Sequence, residues 1–217
     1  MIPVSCATEP ATFDSKVRQP GLSAIDELVG RTPRKRRPGP KRPAAATRES
    51  DIPADRFPSF WREALPEMLD AYSRRCAFLA LRIPHATGNP TVDHMLPKSR
   101  ARQDVYEWKN YRLCAALINT HKSDLTGVID PFSCRDGWFA LELVAFQVVR
   151  GSSAPKSHAA AIDNTLPLLN LPDCCRARGT YVTEYEDGHI DVDYLERNAP
   201  FVASELRRQG RLRSTDR

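Results

Sequence analysis

Two adjacent residues, Asp93 and His94, open a run of side chains able to do chemistry together. They lie in TVDHMLPKSR; the following EWKNYRLCAALINTHKSD supplies Asn110, 16 residues after His94, then Asn119 nine residues on and Lys122 three further. A neutral imidazole titrates near ~6.5, close to working pH, so His94 suits a general base that takes a proton from water. The carboxylate of Asp93 and the amide oxygen of Asn119 are hard donors. They are a sufficient protein contribution for Mg²⁺ (or Mn²⁺), which keeps several of its own waters. Such a cation neutralises charge growing on a phosphate and on a leaving 3′ oxygen. Lys122 adds a point charge for a phosphate. The combination points to phosphodiester hydrolysis. Any one of these residues alone would more often pack or face solvent; their order and spacing carry the reading.

Local pattern predicts the elements that must position them. Residues 91–97, TVDHMLP, read as a strand after the Gly88-Asn89-Pro90 turn, a polar loop runs to about Trp108, and NYRL (110–113) reads as a second short strand. A helix is expected from Cys114 to Asp124, with Gly127 as its stop. Strand alternation sends Asp93 and His94 to opposite faces, so the backbone must bend for both to serve one site. At ~100° per residue, Cys114, Leu117, Ile118, His121 and Leu125 share one side of the helix, and Ala115, Asn119, Lys122 and Ser123 the other. The wheel therefore turns His121 and the apolar stripe inward and leaves Asn119 and Lys122 exposed. A nitrogen ligand at His121 would favour a transition metal over Mg²⁺. Lys98, Arg100, Arg102, Lys109 and Arg112 form a basic rim, among which Lys98 and Arg112 join Lys122 as candidate phosphate contacts.

In this order, the strand-end Asp93-His94, the Pro97-Lys98-Ser99 that follows, Trp108-x-Asn110 and the helix-borne Asn119-x-x-Lys122 resemble the HNH (ββα-metal, His-Me finger) nuclease family. The resemblance implies a metal unit of two strands and a helix over residues 91–124, embedded in an α+β domain over 55–212. It implies hydrolysis of DNA to a 5′ phosphate and a 3′ hydroxyl, with His94 as base and Asp93 and Asn119 as metal ligands. Asn110 would belong to the catalytic site by steadying the loop that presents the histidine, without binding metal. FWREALP…AYSRRCAFLALRIP, VIDPF…DGWFALE and APFVASELRRQG resemble, more weakly, a bacterial subgroup linked to mobile elements and phage defence. Many HNH relatives begin the unit with C-x-x-C zinc pairs. Here Leu79 stands three residues after Cys76 and Ile118 precedes Asn119, so apolar packing is expected as the brace and no structural zinc, unless Cys76, Cys114 and Cys134 converge.

The remaining residues bound these readings. The 217-residue chain is 41% hydrophobic and 27% charged, enough for one packed domain plus an appendage. Its net +5 is misleading: residues 31–48 hold eight of the 32 basic residues and no acid, leaving 24 against 27 elsewhere. With four prolines between 31 and 50, residues 1–50 read as a disordered, basic tether. Proline-stiffened at ~3.1 Å per residue, twenty residues would reach about 60 Å and attract nucleic acid without sequence preference. Residues 213–217 read as a tail. Elsewhere the pattern predicts two short helices split at Pro66, a strand over Cys76–Ile83, strands in DGWFALELVAFQVV, a helix in SHAAAIDNTLPLLNL, and a terminal helical pair broken at Pro200. The cysteines read as reduced thiols, with Cys174-Cys175 a packing or turn pair. No charged-then-apolar leader and no window of ~18 apolar residues occurs, which predicts a cytoplasmic protein with no membrane contact.

A second reading keeps the fold and changes the role: a nucleic-acid-binding or partner-gated subunit of a defence system with little intrinsic activity. An ATPase partner encoded nearby would fit it, on resemblance alone.

Overall fold

The computed structural model describes residues 1–36 and 38–216, so Arg37 of the basic segment and Arg217 of the tail lie outside the described residues. The fold is α+β, with seven α-helices and two small antiparallel sheets among the described residues.

The amino-terminal region departs from the tether expectation. A π-helical turn over Asp14–Arg18 leads without a break into α1 (Gln19–Leu28), with Pro20 near its start. Phe13, Val17, Ala24, Ile25 and Leu28 are buried in the common core. Phe13 stands edge-on against Trp108 at 5.5 Å and Tyr111 at 5.7 Å. Gly21 lies against the Tyr106 ring so closely that a Cβ would come within 2.2 Å of it, so only glycine fits. The region is poor in large apolar residues because part of its contact is made by Gly21, Ser23 and Ala24.

The basic segment is folded back onto α1. Its Ala45 and Ala46 N–H groups donate to Leu28 O, and Lys35 N–H to Ser23 Oγ. Arg31 and Arg34 pair with Asp26, and Arg42 with Glu27. The expected 60 Å reach is therefore not adopted; carboxylates on α1 hold the segment down.

From Phe60 to Ala64 the chain forms a 3₁₀ turn that continues into α2 (Leu65–Ala71), with Pro66 in its first turn. The Cys76–Ile83 run is compact turns joined by one bridge, Arg75 to Arg82, instead of the expected strand. Cys76 N–H donates to Leu81 O and Ala80 N–H to Cys76 O, both 2.9 Å, so the run's apolar side chains are buried by folding on itself. β1 (Pro90–His94) pairs antiparallel with β2 (Tyr111–Ala115), setting Asp93 opposite Arg112 and His94 opposite Tyr111. α3 (Ala116–Lys122) follows directly and ends at Ser123, whose φ is +40°, four residues before Gly127.

The remainder covers this unit. β3 (Phe139–Leu141) and β4 (Val148–Arg150) form a hairpin. α4 (Ala159–Leu169) packs on α3 and β4, and the Ile129 N–H is satisfied by Thr165 Oγ1. α5 (Pro172–Glu186), which contains Cys174 and Cys175, carries the buried Arg178 that donates to Phe146 O and Leu169 O. α6 (Val192–Asn198) and α7 (Pro200–Arg208) are the terminal pair, divided at Ala199-Pro200. No described helix is long and apolar enough to cross a membrane.

If residues 1–30 are integral, Phe13→Ala should cost about 3–5 kcal/mol in denaturant unfolding, as truncation of a buried aromatic does. A tether residue would leave the midpoint unchanged.

Candidate active site

The centre of the site is a lysine. Lys122 is wholly buried, and its ammonium donates to Asp93 Oδ1 at 3.1 Å, His94 O at 2.9 Å and Met95 O at 3.4 Å. Two successive carbonyls aimed at one nitrogen require the chain to turn as β1 ends. That turn answers the alternation problem, because it lets adjacent Asp93 and His94 line one cleft.

The wheel expectation for α3 is thereby corrected. Lys122 and Ile118 face inward, while Leu117, His121 and Leu125 are exposed. Lys122 reaches carbonyls and a carboxylate that a sequence wheel cannot register, and its aliphatic stem packs in the interior. It is engaged within the protein and is not a phosphate contact. His121 Nδ1 lies 2.8 Å from Leu117 O of its own helix.

His94 is held from several sides. Its Nε2 lies 2.9 Å from Val105 O, which also accepts from Tyr111 OH at 2.8 Å. A carbonyl can only accept, so the proton sits on Nε2 and the Nδ1 lone pair is left for other work. Trp61 and Tyr111 stand edge-on to the imidazole at 4.9 Å and 5.2 Å. Burial lowers the imidazole pKa from its ordinary 6.5 to about 4, against the opposing hydrogen bond to Val105. The ring is neutral across the physiological range, but the titration close to working pH expected of it from the sequence is not retained.

Asn110 fastens the intervening loop. Its Oδ1 accepts from Leu96 N–H at 2.8 Å, and its Nδ2 donates to Leu96 O and Asp104 O, both 3.1 Å. The Asn110 carbonyl accepts from Met95 N–H. Asn119, half-buried on α3, spends its Nδ2 on Thr91 Oγ1 at 3.1 Å and Val92 O at 3.4 Å. Its Oδ1 is the atom left for a ligand. Thr91 in turn donates to Cys114 O at 3.0 Å, tying the two strands to the helix.

Asp93, His94, Asn119 and Lys98 line one cleft of about 460 Å³ with Asp55, Thr120, Ser123 and Asp124. Lys98 stretches over the Trp61 ring, its ammonium 4.4 Å from the centroid. Arg112 is not in the cleft. It is buried, forks onto Asp130 at 2.7 and 2.6 Å and covers the Phe132 ring at 3.5 Å, so its expected phosphate contact is replaced by an internal ion pair. The sequence reading missed Trp61, Val105, Asp55 and Asp124. Val105 acts through its backbone, which no side-chain pattern reveals, and Asp55 arrives from a distant segment.

The donor set can be tested against the expected divalent cation. Among the described residues no group of three or more His, Cys, Asp or Glu side chains could hold an ion. Asp93 and Asn119 both line the cleft, and Asp93 Oδ2 is buried without a hydrogen-bond partner. Burial raises the Asp93 carboxyl above the ordinary range, against the pull of Lys122 and Arg112. Two hard oxygens, one of them unsatisfied, fit a cation that retains most of its water. Comparison with protein-family models, with curated proteins and with solved structures gives no match.

Removing the ammonium alone, as in Lys122→Met, should destabilise the fold by about 3–5 kcal/mol, because a buried carboxylate loses its partner. Adding Asp93→Asn should return much of that loss in the same unfolding measurement. His94 supplies a pH signature. Its folded pKa lies below its unfolded one, so its contribution is complete above pH 6.5 and disappears as pH falls toward 4. Relative to His94→Gln, the native chain should lose about 3 kcal/mol across that window.

Proposed function

We propose that the chain is a metal-dependent endonuclease of the HNH type, hydrolysing phosphodiester bonds in DNA. The observation that carries the reading is a neutral imidazole, its tautomer set by Val105 O, in the same cleft as the unsatisfied Asp93 Oδ2 and the Asn119 amide. Asp93 and Asn119 would hold Mg²⁺ or Mn²⁺. When bound, the cation supplies Lewis-acid stabilisation of charge on the phosphate and the leaving oxygen.

The chain's own residues do the rest. His94 Nδ1 takes the proton of the attacking water, its ring kept in place by Val105 below and by Trp61 and Tyr111 at its edges. Asn110 keeps the loop carrying Val105 closed on β1. Lys98, at the mouth over Trp61, meets the phosphate as a point charge. Base-specific readout has no evident source in this small cleft.

Purified protein with Mg²⁺ or Mn²⁺ should nick supercoiled plasmid, and His94→Ala should lower the rate by at least ~100-fold, the usual lower bound for general-base catalysis. Its far-ultraviolet circular dichroism should remain native. Calorimetric titration of Mn²⁺ should show weaker binding in Asp93→Asn. Equal nicking by the native and His94→Ala chains would sink the assignment. Metal binding without nicking would favour the partner-gated reading.

A further inference from the structure

Cys76 and Cys114 stand apart from the cleft, and nothing in the proposed hydrolysis uses them. Both are buried free thiols, and their sulfurs lie 3.9 Å apart. Their backbones are neighbours: Ala77 N–H donates to Leu113 O at 2.8 Å, one residue along from each cysteine. Cys76 Sγ also accepts the Ala115 N–H at 3.4 Å. An N–H donor stabilises a sulfur that carries negative charge. Cys76 further lines a surface cavity of about 260 Å³, with Tyr72, Arg75 and Phe132 on its walls. That is ample room for a small oxidant.

We infer that Cys76 and Cys114 form a reversible redox site, in which a hydroperoxide oxidises Cys76 and Cys114 resolves the product as an internal disulfide. Cys76 thiolate attacks the O–O bond of hydrogen peroxide; an S–O bond forms, the O–O bond breaks, and hydroxide leaves, taking up a proton as water. The Cys114 sulfur then attacks Cys76 Sγ. The S–S bond forms, the S–O bond breaks, and the departing hydroxide takes the Cys114 thiol proton as a second water. Two thiols lose two electrons and two hydrogens, and one peroxide becomes two waters. An external dithiol reverses the reaction by exchange.

The two thiols differ as such a division of labour requires. Burial pushes the Cys76 thiol up, but the hydrogen bond shared with Cys114 and those from Ala115, Leu79 and Phe78 bring it down to about 7, whereas burial and the neighbouring Cys76 hold Cys114 well above the ordinary thiol range. Cys76 is the attacking sulfur. Closing the bond also acts on α3, since Cys114 lies two residues before that helix and its carbonyl receives the Thr91 hydroxyl that positions Asn119.

The assignment does not draw on nuclease activity, and its test is a mass measurement on the full chain. Native protein is exposed to equimolar hydrogen peroxide, quenched with catalase, denatured and alkylated. Of its six cysteines, four should then be alkylated, with a peptide joining Cys76 to Cys114; dithiothreitol before alkylation should restore all six. The Cys114→Ala chain, treated with dimedone, should carry the adduct on Cys76. Alkylation of all six after peroxide, or linkage confined to other cysteines, overturns the inference. The native-chain mapping decides the question even where the variant fails to fold.

Discussion

The buried ammonium of Lys122 is the contact on which the candidate site depends. A carboxylate at the depth of Asp93 would be costly without a partner, and a lysine at the depth of Lys122 equally so. Paired, each makes the other tolerable. The two backbone carbonyls that Lys122 also binds turn this electrostatic pair into a geometric device, for they draw the end of β1 toward α3. Without that turn, adjacent strand residues would look in opposite directions and Asp93 and His94 would not share a cleft.

Around this pair the other layers restrain one loop. Residues 95–110 leave β1, return into β2, and present the Val105 carbonyl to the imidazole. Asn110 closes the loop from inside with three side-chain hydrogen bonds. From outside, Gly21 packs on Tyr106, Phe13 on Trp108 and Tyr111, and Arg18 on Glu107. The amino-terminal residues therefore support the histidine at one remove, through aromatic contacts and an ion pair. Their packing joins local order at the site to the stability of the whole domain.

The strand, strand, helix order over residues 90–122 and the break of the terminal helical pair at Pro200 were legible in the sequence because they depend on local pattern. Asn110 could be read as a loop brace only through the resemblance; its side chain bonds to the backbone of Leu96 and Asp104. Lys122 was misread because α3 has only seven residues, too few for an apolar stripe to fix its orientation against three oxygen acceptors. Arg112 was misread because its partner Asp130 belongs to a different segment. The same holds for the first 30 residues. Their small packing residues and charged helix face look solvent-bound until Arg31, Arg34 and Arg42 are seen neutralising that face.

Charge, finally, is distributed differently from the composition. Arginines 31, 34, 42 and 48 of the basic segment are engaged with carboxylates, while Lys35, Arg36 and Lys41 stay exposed. The cleft has its own balance. Asp55, Asp93 and Asp124 oppose Lys98 at its surface and Lys122 behind it, and His94 is neutral, so negative charge exceeds positive by one. A polyanion would meet one cation at the surface there, Lys98. A divalent cation reverses the sign, so on the proposed reading metal and phosphate must bind with mutual reinforcement, each raising the affinity of the other by the same factor. On that reading the small ligand set, Asp93 and Asn119, would suffice, because the cation would supply the positive charge that the cleft itself lacks and the phosphate the negative charge that holds the cation.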